Sequence, residues 1–346
     1  MGKLRIAVVG LHFGRHIAES EIAKGPGAPF FELAAVCDLD RARADELAGK
    51  LGVPALYSLD ALLARDDIPV IGLYSGPNGR AELIRKIIRA GKDVMTTKPF
   101  ERDPDAALEV LREARALKRV VHLNSPAPLP PADLQLVRDW QAKYALGRPV
   151  AAQAATWASY REKPDGSWYD DPARCPCAPL FRIGIYPLND LIGFLGEPEA
   201  VQVFHTRVFT GRPTADNVQM ALRFRGGAVA GVFASFCVAD GAYWRAGLTL
   251  HFENGTVYRN VGPSGGEARA AQLAVVPGPQ SQGRAAETAS VPHERCSGTY
   301  PWEYFAQAIR GARRLDEEIT PEQIAAGIRV IRAMAKAAES GKTEPV

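Results

Sequence analysis

The sequence predicts a two-domain α/β protein: an N-terminal doubly wound parallel sheet, then an α+β domain built on a large, mostly antiparallel open sheet. Three observations carry this expectation. Over the first 124 residues, short apolar runs alternate with helical patterns, as strand–helix–strand crossovers require. A stretch with four prolines (Pro126, Pro128, Pro130 and Pro131) then breaks the pattern, and reads as a domain boundary. Beyond it, longer apolar strands follow one another with turns between them. The expected division is 1–124, 125–319 and a closing segment 320–346.

Each element follows from local pattern. Leu4 to Val9, Phe31 to Cys37, Val70 to Leu73, Asp93 to Thr96 and Val120 to Leu123 are apolar runs of strand length. Arg41 to Leu51, Ser58 to Ala64, Arg80 to Ala90 and Pro104 to Leu117 show helical spacing. Gly52 and Gly91 are stops for two of these helices. In the second domain, strands are expected at Val150 to Ser159, Ala200 to Phe209, Asn217 to Phe224, Ala228 to Cys237 and Ala246 to Phe252. A helical insert, Leu188 to Leu195, lies among them. Gly226-Gly227 and Asn254-Gly255 are turn signals. Gly262 to Pro292 reads as a mobile loop with one short strand near Leu273 to Val276. Helices Trp302 to Arg313 and Pro321 to Glu339 close the chain, the latter with Thr320 as N-cap, Pro321 at N1 and Gly341 after its end.

Composition excludes several classes. The 346 residues carry a net charge of +3 with both signs interspersed, so neither a nucleic-acid stripe nor a polybasic membrane patch is expected. No apolar run approaches a membrane span, and the opening Met1-Gly2-Lys3-Leu4 lacks the pattern of a signal peptide. Five scattered cysteines, an odd count, suit reduced thiols in the cytoplasm. Cys175-Pro-Cys177 has the wrong spacing and no second pair for zinc, so no metal is expected.

The first strand runs into Gly10-Leu11-His12-Phe13-Gly14, the position of a dinucleotide-binding turn in a Rossmann domain. Gly10 and Gly14 fit the tight turn and the helix packing, but His12 sits where close approach to pyrophosphate favours glycine. The second strand ends at Asp38, placed to accept from ribose hydroxyls and to repel a 2′-phosphate. NAD is therefore expected over NADP, although Arg41 and Arg43 stand near enough to reverse the preference.

From here the chain resembles the glucose–fructose oxidoreductase/inositol dehydrogenase (Gfo/Idh/MocA) family. The resemblance rests on the opening turn, on Ser75-Gly76-Pro77-Asn78, on Ala90-Gly91-Lys92-Asp93-Val94-Met95-Thr96-Thr97-Lys98-Pro99, on Gly184-Ile185-Tyr186-Pro187-Leu188-Asn189-Asp190, and on the last helix. It implies hydride transfer between a nicotinamide and a carbinol carbon of a sugar, cyclitol or related alcohol. It also implies a homodimer or homotetramer formed through the C-terminal sheet, and a closing helix that packs back on the Rossmann domain. The cofactor contacts so implied are Gly10, His12, Phe13, Gly14, Asp38, Ser75, Pro77, Asn78 and Lys98.

Alcohol oxidation needs a group to take the hydroxyl proton. Lys98 follows a strand at its carboxyl end, where open α/β sheets bind ligands, and a bound nicotinamide cation would disfavour its charged form. Tyr186 occupies the family position of a His or Tyr and is the second catalytic candidate. Asn189 and Asp190 stand close by in sequence as candidates for substrate hydroxyls. The aromatic and charged segment around Trp157, Tyr160 and Trp168 reads either as a substrate loop or as a subunit interface. Two departures stand out: Thr97 replaces the family's Glu, and Arg182 replaces its Asp. Arg182 suits a substrate carboxylate, or a structural ion pair. Two alternatives to a dehydrogenase follow: a redox-neutral enzyme that retains NAD to cleave a glycosidic bond, and a cofactor-binding regulatory protein without catalysis.

Overall fold

A computed structural model describes residues 2–160, 162–240, 244–262, 270–279 and 285–346. They form two compact units, one of residues 1–129 with 300–325, the other of residues 130–299 with 326–346.

In the first unit β1 (Leu4–Val9) leads through the glycine turn to α1 (Gly14–His16), which continues as a π-helical turn, Ile17–Ile22. Then follow β2 (Phe31–Cys37), α2 (Arg41–Leu51), β3 (Ala55–Leu56), α3 (Leu59–Leu63), β4 (Val70–Leu73), α4 (Arg80–Arg89), β5 (Asp93–Thr96), α5 (Pro104–Ala116) and β6 (Val121–Leu123). The six strands are parallel in the order β3-β2-β1-β4-β5-β6, so the winding reverses between β1 and β4. Every residue of β4 and β5 is buried, as a sheet covered on both faces demands. Local chemistry sets the helix ends: Asp40 accepts from the Arg43 N–H at the start of α2, and Gly52, at φ +69°, closes it. The two-residue β3 was not foreseen.

The second unit opens with α6 (Ala132–Lys143), directly after the prolines, a helix that the sequence pattern did not indicate. Leu134, Val137 and Trp140 give it a buried stripe. β7 (Pro149–Ala158) follows, and a π-helical turn, Leu180–Gly184, runs into α7 (Ile185–Leu195), so the helical insert starts earlier than expected. The remaining strands are β8 (Pro198–Thr206), β9 (Asn217–Phe224), β10 (Val229–Ser235), β11 (Trp244–Phe252), β12 (Gly255–Arg259), β13 (Ala270–Pro277) and β14 (Glu287–Pro292). Thus Gly262 to Pro292 is not one loop: it holds two paired strands, while 263–269 and 280–284 lie outside the described residues. The sheet has nine strands, ordered β14-β13-β12-β11-β7-β10-β9-β8 with the terminal pair Glu344–Pro345 last. All neighbours are antiparallel except β7 and β10. Alternation sends Ala152, Ala154 and Ala158 of β7, with Met220 and Leu250, into a core shared with Leu188 and Leu191 of α7. Gln153, Gln219 and Val229 stand on the opposite face, exposed.

The closing helices divide differently from expectation. α8 (Trp302–Ile309) belongs to the first unit: Trp302 and Phe305 pack on Phe31 with ring centroids 5.6 and 5.7 Å away, and Trp302 Nε1 donates to Glu21 at 2.7 Å. α9 (Pro321–Ser340) starts in that unit, but Val330, Ile331, Met334 and Ala337 are buried in the core of the second. Of the segment 320–346, residues 320–325 fall in the first unit and 326–346 in the second. The apolar stripe of α9 finds its partners among α7 and the sheet. Among the described residues, no helix is long and apolar enough to cross a membrane.

Candidate functional site

The first unit gathers its candidate residues at the carboxyl ends of adjacent strands. Gly10 follows β1 at φ +85°, and a Cβ there would lie 2.6 Å from the Ser75 nitrogen, so only glycine lets the turn pass the loop after β4. Gly14 lies against Val8, where a Cβ would come within 2.9 Å of a side-chain carbon. His12 and Phe13 are exposed on the turn, and Phe13 meets the Tyr74 ring edge-on at 5.9 Å. The Asp38 carboxylate accepts from the Leu11 N–H at 2.7 Å and the Asp40 N–H at 2.9 Å, which ties the end of β2 to the glycine turn. Arg43 Nη1 stands 3.4 Å from both of its oxygens. A dinucleotide fits this end of the sheet. The Gly10 cradle is one that a Cβ would fill, and the buried Ser75 Oγ has no hydrogen-bond partner among the described residues.

Lys98 sits just past β5, in a corner held from two sides. Its backbone N–H donates to Asn124 Oδ1 at 3.3 Å, and Asn124 is buried just past β6. From the other side comes Arg80, the first residue of α4 and 3% exposed. Its guanidinium donates to the carbonyls of Thr97 at 2.8 Å and Pro99 at 3.2 Å, and to that of Ser75. One buried cation thus fastens the Ser75 loop to the Lys98 corner. Glu101 completes the corner by capping α4: its Oε2 accepts from the Ala81 N–H at 2.8 Å, and its Oε1 from the Arg102 N–H at 2.7 Å. Pro77 is buried, while Asn78 is exposed and accepts from Arg102 at 2.9 Å.

In the second unit, Tyr186 starts α7 and is half-buried. Trp244 presents its ring edge-on at 6.4 Å, and Gly298, at φ +96°, lies so close that a Cβ would meet Cδ1 and Cε1 of Tyr186 at 3.2 Å. Arg182 lies on the π-helical turn that precedes it. Both its Nη atoms go to Glu162, at 2.6 and 2.8 Å, and its guanidinium stacks over Tyr169 at 3.9 Å, with Phe236 at 4.8 Å and Tyr160 at 5.3 Å. Burial opposes the charge of Arg182, but the bonds to Glu162 outweigh it and the proton is held more tightly than in free arginine. The expected carboxylate of a substrate is therefore supplied here by the chain itself. Trp168 packs on Tyr169 at 4.2 Å, so Tyr160 and Trp168 do gather around Arg182. Arg161 lies outside the described residues.

Three of the expected substrate contacts have partners within the second unit. Asp190 is 5% exposed, and its Oδ2 pairs with Arg259 at 2.9 Å while its Oδ1 accepts from Ser297 Oγ at 2.6 Å. Its oxygens are spent inside the core, and burial pushes its carboxyl up despite Arg259. Asn189 is buried against Gly327 of α9, where a Cβ would lie 2.2 Å from its Oδ1. Trp157 has the opposite parity to Ala158 on β7, so it stands on the sheet face away from α7, with Arg245 at 5.4 Å over its ring. Tyr186 and Trp157 are thus on different faces. Trp244, opposite Ala158 in register, is the aromatic neighbour that sequence reading missed.

Also missed were Arg80, Asn124 and Glu162. Asn124 was findable: it is a polar residue at the carboxyl end of an apolar run, the rule that selected Lys98. Arg80 and Glu162 left no local signal. Burial pushes the Cys177 thiol up to about 12, which leaves it unreactive. No group of three or more His, Cys, Asp or Glu placed to hold a metal ion occurs among the described residues.

Comparison with known proteins agrees with this arrangement. Residues 4–125 match the oxidoreductase family, NAD-binding Rossmann fold, profile of Gfo/Idh/MocA, and residues 134–258 match the Gfo/Idh/MocA C-terminal domain. An uncharacterized oxidoreductase of Schizosaccharomyces pombe is 24% identical over 156 residues, 42% of this chain and 39% of that protein. The D-xylose 1-dehydrogenase (NADP(+)) 2 of Haloferax volcanii is 29% identical over 228 residues, 63% of this chain and 66% of that protein. The chain thus spans less than two thirds of either curated relative. Aldose-aldose oxidoreductase from Caulobacter crescentus, solved with glycerol, shares the fold with a TM-score of 0.76 at 20% identity, over 100% of both chains. An NAD binding oxidoreductase from Klebsiella pneumoniae does so with a TM-score of 0.75 at 20% identity, over 99% of each chain.

Proposed function

Because the chain belongs to the Gfo/Idh/MocA oxidoreductase family, we propose that it transfers hydride between a nicotinamide dinucleotide and a carbinol carbon of a sugar, cyclitol or carboxylated relative. The observation that carries this reading is the Arg80 tie. It brings the Ser75 loop and the Lys98 corner together beside the Gly10 turn, at the reversal point of a parallel sheet. Ligands of open α/β sheets bind outside the carboxyl ends of the strands at such a point. The named activity of the Haloferax relative, a sugar dehydrogenase, supports the substrate class.

In this reading Gly10, His12, Phe13 and Gly14 hold the pyrophosphate, Asp38 the adenosine ribose, and Ser75, Pro77 and Asn78 the remainder of the dinucleotide. When bound, that group accepts or gives the hydride. Lys98 Nζ takes the proton from the substrate hydroxyl as hydride leaves the same carbon, and the Tyr186 phenol is the second acid–base candidate. The Asp38 carboxylate, anchored by two backbone N–H groups, favours NAD over a 2′-phosphorylated cofactor, while Arg43 beside it narrows the margin. The open face of the nine-stranded sheet is the surface proposed for self-association.

The test is fluorescence titration with NADH and NADPH, followed by turnover on D-xylose, myo-inositol and aldonates. Saturable binding, tighter for NADH, with net NADH formation on one of these alcohols supports the reading. Product without net NADH, from a cofactor that stays bound, would instead mark a redox-neutral enzyme. Binding without any turnover would mark a regulatory protein.

A further inference from the structure

We propose that the buried network Asp133–Arg259–Asp190–Ser297 positions the Tyr186 ring by pinning Gly298 against it, which makes Asp190 and Ser297 positioning residues for that phenol. The proposal rests on the reading of Tyr186 as the proton-handling group.

The network is continuous within the second unit. Arg259 on β12 donates to Asp133 of α6 at 2.8 Å and to Asp190 of α7 at 2.9 Å. Ser297 is gripped by both carboxylates: its N–H donates to Asp133 Oδ1 at 3.0 Å and its Oγ to Asp190 Oδ1 at 2.6 Å. Asp133, Asp190 and Arg259 are all 5% exposed or less. Two anchors on a single residue fix its position and its orientation together. The residue after it is Gly298, where a Cβ would crowd Cδ1 and Cε1 of Tyr186 at 3.2 Å and where a φ of +96° favours glycine. Asp190 lies four residues beyond Tyr186, one turn along the same helix, so the chain of bonds leaves α7 and returns to it. Trp244 stands beside the ring, edge-on.

Stability alone does not account for this arrangement. Two carboxylates share one buried guanidinium, and burying such groups costs about as much as their attraction returns. Burial pushes the Asp190 carboxyl up, with the nearby Asp133 carboxylate adding to it and Arg259 and Ser297 opposing it. A hydrophobic cluster would stabilise the site as well. What the charged network adds is a fixed register between three elements and the loop that bears Gly298. A phenol that must meet a reacting oxygen gains from such fixing, because a misplacement of about 1 Å can cost on the order of a hundredfold in rate.

The test uses the full chain with 3-fluorotyrosine at position 186, read by fluorine NMR, beside turnover of the same protein on the alcohols named above. Ser297→Ala and Asp190→Asn should each shift or split the resonance, and Ser297→Thr should restore it. Val330→Ala, a core truncation on α9, should lower the melting temperature and leave the resonance in place. In turnover, Ser297→Ala should lower kcat between about tenfold and a hundredfold with little change in KM. An unmoved resonance in Ser297→Ala, or an equal movement in Val330→Ala, overturns the proposal. Tyr186→Phe separates the two readings. If it leaves turnover intact, the acid–base role of Tyr186 falls while the resonance still decides the positioning. If it abolishes turnover and Ser297→Ala keeps full kcat, the positioning falls.

Discussion

Replacing Arg80 with methionine keeps an unbranched apolar stem and removes the guanidinium with its charge. Three backbone carbonyls, of Ser75, Thr97 and Pro99, then lose a donor inside the protein. Thr96 Oγ1, which Arg80 also reaches at 3.4 Å, keeps its own bond to the Leu73 carbonyl at 2.7 Å. Each orphaned carbonyl costs about 1–1.5 kcal/mol, and the sum is roughly 3–4.5 kcal/mol. For a unit of this size each kcal/mol lowers the melting temperature by about 2–4 °C, so a fall of roughly 6–18 °C is expected. Cofactor binding should suffer as well, because the Ser75 loop and the Lys98 corner are no longer tied. If binding must restore the order of even one of these bonds, at about 1.4 kcal/mol, the NADH dissociation constant rises tenfold. Calorimetry and NADH fluorescence measure the two effects. A melting temperature within about 2 °C of wild type would show that Arg80 is not the tie between the two loops.

Gly10→Ala should cost about 1–3 kcal/mol from its positive φ, and more from the contact with Ser75. NADH affinity should fall with it, and an unchanged titration would remove Gly10 from the site. Glu162→Ala should expose the Arg182 fork, so that millimolar acetate raises the melting temperature of the variant and not of wild type. An equal response in both would mean that Arg182 is shielded by more than Glu162. Glu287 gives a pH signature. Hydrogen bonds from Lys143, Tyr144 and Trp140 hold its carboxyl down to about 2, below the usual value near 4.3 in an unfolded chain. Its contribution is therefore complete above that usual value and is lost as pH falls towards 2. The advantage of wild type over Glu287→Gln in thermal melts should shrink between pH 5 and pH 2, and a constant difference would contradict this.

Much of the fold was legible because parallel strands covered on both faces read as unbroken apolar runs. β2, β4 and β5 lie where those runs lie. β3, two residues long, has too little pattern to be seen, and α6 was hidden by the prolines before it. β13 and β14 pair with each other across a Gly- and Gln-containing stretch whose composition reads as a loop. The same division holds for the candidate site. Gly10, Asp38 and Lys98 follow from one rule, that chemistry sits at the carboxyl ends of parallel strands. Trp157, Asn189 and Asp190 were chosen by closeness to a motif. Closeness in sequence does not decide which sheet face a side chain takes, or whether a carboxylate spends its oxygens in a core. The partner of Arg182, Glu162, comes from a separate segment, and only the folded chain brings the two together.

The most direct measurement of the central claim is the behaviour of Lys98→Met, assayed for NADH binding and for turnover on the alcohol that wild type oxidises. Removal of a proton acceptor, with the dinucleotide turn left intact, should keep the NADH dissociation constant within about threefold and lower kcat by roughly a hundredfold or more. Turnover equal to wild type would contradict the assignment of Lys98 and the proton chemistry built on it.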